Sequence, residues 1–233
     1  EENGQILWTY KRPAPAGPVI WSLRGQAVPA LSLDGRNLYV GFSDGVFVSL
    51  DTLSGKTNWE RRFERSGLFR DADTSAVIVR GGRVVVLSLV DGDLVALNTQ
   101  DGSVLWSQKI GSFAAPLYDV TSNKLWVPGG DGRVYRLNPD NGVVEWDREL
   151  GFKGLASQPV FLLDKYIAFT SSHFGLLVMD KDNGEIEFSY SMGSGSTTPV
   201  ASDGEHLLAL NSRNLLLVFK AKKRLWKQEQ ASR

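Results

Sequence analysis

The chain has 233 residues, 26 basic against 26 acidic side chains, and no cysteine. Zero net charge removes any long-range pull toward nucleic acid or an anionic membrane surface, and the missing thiols exclude disulfides, thiolate metal sites and cysteine nucleophiles. No apolar run approaches the ~18 residues of a membrane-spanning helix, so the expectation is one sizeable core with no direct transmembrane span.

Glu1 to Gly4 does not read as a signal peptide, which places any targeting segment outside this chain. The first element is Asn3 to Tyr10, where Gly4 and Trp8 form a Gly-x-x-x-Trp strand without the rest of a repeat unit. Strand 4–11 is therefore a candidate to close the last blade of an array, covering an otherwise open edge. Pro18 to Gly25 follows, with Trp21, Leu23 and Arg24 just ahead of a strand. Trp and Arg are residue types that dominate interface energetics; the alternative is that Trp21 and Leu23 tuck under a blade edge.

Strands Ala27 to Leu33 and Asn37 to Phe42 lead into the first full copy of a recurring phrase. Asp44-Gly45 supplies a hairpin turn, Val46 to Leu50 an apolar strand, Gly55 a second turn, and Trp59 a large apolar surface four residues later. Next comes Leu68 to Thr74, in which Asp71 and Asp73 sit at i and i+2 and, if extended, project from one face. Such a pair can do acid–base work, hold a cation or grip an arginine; the alternative is a solvated loop partnered by Arg65 and Arg70. Strands Ser75 to Val79 and Arg83 to Leu89 precede the second copy at Gly92, Gly102 and Trp106, and the third copy is Gly132, Gly142 and Trp146. In the fourth, after strands Pro159 to Leu163 and Lys165 to Thr170, Phe174 takes the first glycine slot, Gly184 keeps the second and Phe188 replaces Trp. The fifth, Asn214 to Lys220, lacks the second glycine and reaches Trp226 two residues early. Lys223 to Lys227 competes with 4–11 for the closing position.

A period of about 40 to 50 residues in which every element reads as strand is the signature of an array. Four strands per unit predict an all-β fold, a β-propeller of four-stranded antiparallel blades. About five blades fit, roughly 25–65, 72–111, 113–151, 155–192 and 196–228, in a single domain spanning 1–233.

Chemistry is sparse. His173 and His206 lie in different blades without ligand partners, no nucleophile elbow or Ser-His-Asp set is readable, and Gly193-Ser194-Gly195-Ser196 lacks the helix and lysine of a phosphate loop. That stretch reads as a flexible inter-blade loop. No catalytic residue, cofactor or metal is expected, and the chain reads as a non-enzyme.

The strand phrases resemble the pyrroloquinoline-quinone-type propeller repeat, and two segments resemble the narrower BamB lipoprotein family of the outer-membrane β-barrel assembly machinery. Trp21 to Pro29 is similar to that family's L-S-L-R-G-x-x-x-P segment, and Arg70 to Val77 to its S-D-x-D-T-T-P-V segment; Thr197 to Gly204 resembles its last blade. The resemblance runs from about Asn3 to Lys220. It implies that Leu23, Arg24, Asp71 and Asp73, with Trp21 in place of a family leucine, bind POTRA domains of the central BamA-type barrel protein. It further implies a scaffold that assists outer-membrane protein assembly and insertion, a monomer within a larger complex. The location implied is the periplasm, at the inner leaflet of the outer membrane through a lipid anchor outside this chain. BamB proteins have eight blades where this chain supplies five, and the 221–233 tail has no counterpart, which leaves open a shortened paralogue with another partner. A glycan- or peptidoglycan-binding propeller, stacking sugars on Trp21, Trp126 or Tyr118, is the alternative from another class. A quinoprotein dehydrogenase shares the repeat but resembles longer chains with calcium-linked quinone and often an adjacent cysteine pair.

Overall fold

A computed structural model describes residues 4–12, 28–63, 75–89, 92–151 and 154–221. The chain divides into two compact units, Glu1–Lys109 and Ile110–Arg233. The first holds two sheets whose strands neighbour one another in sequence order. Blade 1 is β1 (Ala30–Leu31), β2 (Asn37–Gly41), β3 (Val46–Asp51) and β4 (Thr57–Arg62). Blade 2 is β5 (Val77–Val79), β6 (Val84–Ser88), β7 (Leu94–Asn98) and β8 (Val104–Gln108). The second unit holds blade 3, made of β9 (Leu117–Asp119), β10 (Lys124–Pro128), β11 (Arg133–Leu137) and β12 (Val144–Glu149). Blade 4 follows with β13 (Val160–Leu162), β14 (Tyr166–Ser171), β15 (Gly175–Asp180) and β16 (Ile186–Tyr190). Blade 5 has three strands among the described residues, β17 (Ala201–Ser202), β18 (His206–Leu210) and β19 (Leu216–Lys220). Every pairing within these sheets is antiparallel.

The expected strand phrases are the third strands. β3 and β15 are buried almost end to end, as an apolar run covered on both faces must be. The first glycine slot needs a left-handed backbone, and Gly45 and Gly132 supply it at φ 80° and 85°. In blade 4 Phe174 occupies the slot and the positive φ moves one residue on, to Gly175 at 91°. In blade 5 Asn214 takes the slot directly at φ 63°, since Asn is among the few non-glycine residues that visit this region.

The second glycine and the tryptophan turn out to be partners across neighbouring blades. A Cβ on Gly102 would sit 2.6 Å from the Trp59 ring, so the indole of blade 1 lies flat on the turn of blade 2. Trp59 Nε1 also donates to the Thr99 carbonyl at 2.9 Å. Trp146 covers Gly184 in the same way. Residues 4–11, the candidate closing strand, lie outside the sheets; Trp8 instead covers Gly55 and donates to the Thr52 carbonyl at 2.9 Å. Trp146 differs in that its Nε1 is buried without a partner among the described residues. The equivalent carbonyl, that of Lys181, already accepts from Trp126 Nε1 and Arg136.

A bulge recurs where the third strand meets the fourth, at Ser49/Leu50, Ala96/Leu97, Arg136/Leu137 and Val178/Met179. Bulges re-aim side chains, and the extra residue here immediately precedes the aromatic slot. The inter-blade stretch 193–196, expected to be flexible, is tied down. Ser196 is buried, its amide donates to the Ser171 carbonyl and its hydroxyl to that of Leu210, and a Cβ on Gly195 would collide with the Ser172 carbonyl.

Candidate functional site

All five residues expected to bind a partner, Trp21, Leu23, Arg24, Asp71 and Asp73, lie outside the described residues. The described chain fixes where their two loops attach. The first leaves from Arg12, whose Nε meets Asp44 Oδ2 and whose NH1 meets Glu60 Oε2, each at 2.8 Å, with the guanidinium over the Phe42 ring. Burial opposes the charge on Arg12, but hydrogen bonds to Glu60, Asp44 and Tyr10 outweigh it and raise its pKa further. The second loop leaves from Phe63, whose amide donates to the Gly45 carbonyl. At the far ends the Val28 amide donates to Ser75 Oγ at 2.9 Å. Val28 and Ser75, just ahead of β1 and β5, are therefore tied to one another, a pairing of sites 47 residues apart that no local sequence signal announces.

A second feature was not anticipated. Between blades 1 and 2 lies an open groove of about 490 Å³, within the ~300–1,000 Å³ range of small-ligand sites. Its blade-1 wall is Tyr39, Ser49, Asn37 and Asn58, and its blade-2 wall includes Thr99 and Gln100. The bulge sets the exposed Asn58 at the groove, where its Nδ2 donates to Asn37 Oδ1 at 2.9 Å and to Ser49 Oγ at 3.3 Å. Burial raises the Tyr39 phenol above its ordinary pKa, with Thr99 opposing. Aligning the copies residue by residue sets Asn37, Ser49 and Asn58 against Lys124, Arg136 and Glu145, but what that difference means shows only in the structure.

The two histidines have local partners. His206 Nδ1 meets Asp203 at 2.9 Å in an exposed turn, and His173 packs edge-on against Phe174. Among the described residues no three His, Asp or Glu side chains form a metal-binding group, and no helix is long and apolar enough to cross a membrane. Trp126 is fully buried, packed edge-on to Phe161, and cannot stack on a sugar. The half-buried Tyr118 directs its hydroxyl to Asn123.

Asp119 joins blades 3 and 4 through Lys181 Nζ at 3.2 Å. Burial opposes its charge, but Ser122, the Thr121 amide and Lys181 outweigh this and hold the carboxyl below its usual range. A depressed carboxylate stabilises the fold above the unfolded value of about 3.9, and that contribution is lost as pH falls through the folded value. Asp119→Asn is expected to flatten the acid limb of stability against pH, measured as urea midpoints from about pH 5 to pH 2. An acid limb as steep as in the parent chain would rule the contribution out.

Comparison with known proteins decides the family. The family described as "Outer membrane protein assembly factor BamB" matches residues 1–117 and 68–228. The chain belongs to the BamB family. BamB of Yersinia pestis is 27% identical over 212 residues, 87% of this chain and 51% of that protein. The chain spans about half the length of the curated BamB relatives it matches. The crystal structure of BamB from Moraxella catarrhalis superposes with a TM-score of 0.68 at 18% identity, covering 83% of this chain and 60% of that one. The fold is thus a β-propeller with PQQ-like repeats. The quinoprotein alcohol dehydrogenase PedH of Pseudomonas putida is 32% identical, but over 142 residues, 54% of this chain and 23% of PedH. That overlap is narrower than the BamB match.

Proposed function

We propose that this chain is a non-enzymatic adaptor of the outer-membrane β-barrel assembly machinery, docking POTRA domains of the BamA-type barrel protein and so assisting assembly and insertion of outer-membrane proteins. It works in the periplasm, held at the outer membrane by a lipid anchor beyond this chain. The family match across residues 1–228 carries the reading. The Val28–Ser75 hydrogen bond supports it, because the described residues that follow Arg24 and Asp73 in sequence are joined to one another. Arg24 pairs with an acidic group of the partner, Asp71 and Asp73 accept from a basic side chain or backbone amides, and Trp21 and Leu23 are the apolar anchors.

Calorimetric titration with the purified POTRA domains of the same organism tests this. Saturable binding is expected, lost with Arg24→Glu and with Asp73→Lys, and weakened by about 2 kcal/mol with Leu23→Ala. Binding that survives both charge reversals would remove the site, and absence of binding by the parent chain would remove the partner.

A further inference from the structure

Blade 3 shows how the groove between adjacent blades can be filled. By strand register, Lys124, Trp126, Arg136, Glu145 and Trp146 occupy the places of Asn37, Tyr39, Ser49, Asn58 and Trp59 in blade 1. Glu145 bonds Lys124 and Arg136, just as Asn58 bonds Asn37 and Ser49. From there the Arg136 guanidinium crosses to blade 4, where NH1 donates to the carbonyls of Lys181 at 3.3 Å and Asp182 at 2.9 Å. Its Cζ lies 5.8 Å from the Trp146 ring. Arg148 completes the seal by donating to the Asn183 carbonyl.

Blade 1 has the same frame without the filling. Ser49, in the Arg136 position, is too short to cross, and Arg61, in the Arg148 position, bonds no carbonyl of the facing turn among the described residues. That turn runs through Thr99 and Gln100, which stand where Lys181 and Asp182 stand in blade 4. The Gln100 carbonyl and its side-chain amide accept no hydrogen bond from a described residue, and neither does Asn58 Oδ1 once Nδ2 faces Asn37. Trp59 lies in the place of the ring that faces Arg136, and Asp34 puts one carboxylate on the rim. Among the described residues no basic side chain lines the groove, and the nearest cation to the Asp34 carboxylate is the exposed Arg36 at 4.0 Å.

We propose that the groove between blades 1 and 2 receives an arginine side chain from a partner protein, its guanidinium taking the place that Arg136 fills between blades 3 and 4. The planar fork matches acceptors converging from two walls and can lie beside an aromatic ring, which an ammonium does less well. Blade 3 balances its guanidinium with Glu145 and Asp182. The open groove offers neutral oxygens and Asp34 instead, which suits a side chain that arrives and leaves over one held permanently.

The test is NMR titration of the isotopically labelled full chain with N-acetyl-arginine amide, taken to about 10 mM, which fills about nine-tenths of a site with a Kd of about 1 mM. The expected result is a saturable shift of the Trp59 indole N–H and the Gly102 amide. The N-acetyl-citrulline amide, equal in shape but uncharged, is expected to give at least about tenfold weaker binding, a difference of about 1.4 kcal/mol. Asn58→Leu, a change at an exposed residue, should weaken the response. Ser49→Arg combined with Asn58→Glu, which rebuilds the blade-3 filling from within, should abolish it. No localised shift, or citrulline binding as well as arginine, would overturn the proposal. Free arginine binding more tightly than its blocked amide would reassign the groove to a metabolite and overturn the partner.

Discussion

Gly102→Ala is expected to destabilise the first unit by about 3 kcal/mol, seen as a lower urea midpoint with the slope unchanged. Two terms add. At φ 69° an L-residue pays about 1–2 kcal/mol for the left-handed region. The new methyl would also stand 2.6 Å from Trp59, a side chain only 8% exposed and fixed by its bond to Thr99, so the indole must move off the turn. Overpacking of this kind typically adds about 1–3 kcal/mol. Gly35 is the control, because at φ 71° it carries the same backbone strain with nothing within 4 Å of a Cβ. Gly35→Ala should therefore lose about 1 kcal/mol. Equal losses at the two positions would show that the tryptophan contact adds nothing and that the spacing of glycine and tryptophan reflects turn geometry alone.

That contact marks where sequence reading succeeds and where it stops. The five repeat copies were legible because turn glycines, strand-length apolar runs and a large aromatic each answer to local physics, and local physics is written in consecutive residues. Asn214 in the glycine slot of blade 5 follows from the same rule. Which glycine meets which tryptophan is a relation between blades, as with Trp59 and Gly102, and within one copy both residues look like features of the same hairpin. The bond from Val28 to Ser75 is hidden for the same reason. Trp126 misled in the opposite sense. An aromatic in a β-branched run reads equally as a surface platform or as core, and only the packing of Phe161 and the Lys181 carbonyl decides for core. The groove of blade 1 was invisible because a serine and two asparagines carry no motif. Their meaning comes from what Arg136, Lys124 and Glu145 do in the equivalent places.

Arg12→Ala is expected to cost about 3 kcal/mol, the range for removing one partner of a buried ion pair. The Arg12 and Asp44 side chains are 12% and 14% exposed, so the carboxylate left behind has little water to replace its partner. Asp44 Oδ1 is already buried without a hydrogen bond from the described residues, and Arg62 stands 3.9 Å from Oδ2, too far to substitute at hydrogen-bond range. Losing Arg12 therefore leaves the carboxylate at the turn that opens β3 with only the more distant, exposed Arg62 as an ion partner among the described residues, which is why the effect should exceed that of the exposed Glu60 partner. A double-mutant cycle separates the stranded charge from lost packing over Phe42. If the charge dominates, Asp44→Asn combined with Arg12→Ala should recover about 2 kcal/mol relative to simple addition. Strict additivity would instead assign the loss to the aliphatic stem and ring contact. The measurement also bears on binding, because Arg12 is the last described residue before the loop that carries Leu23 and Arg24. Arg12→Ala should then weaken POTRA binding even under conditions where the blades remain folded, whereas a loop that needs no anchor would bind unchanged.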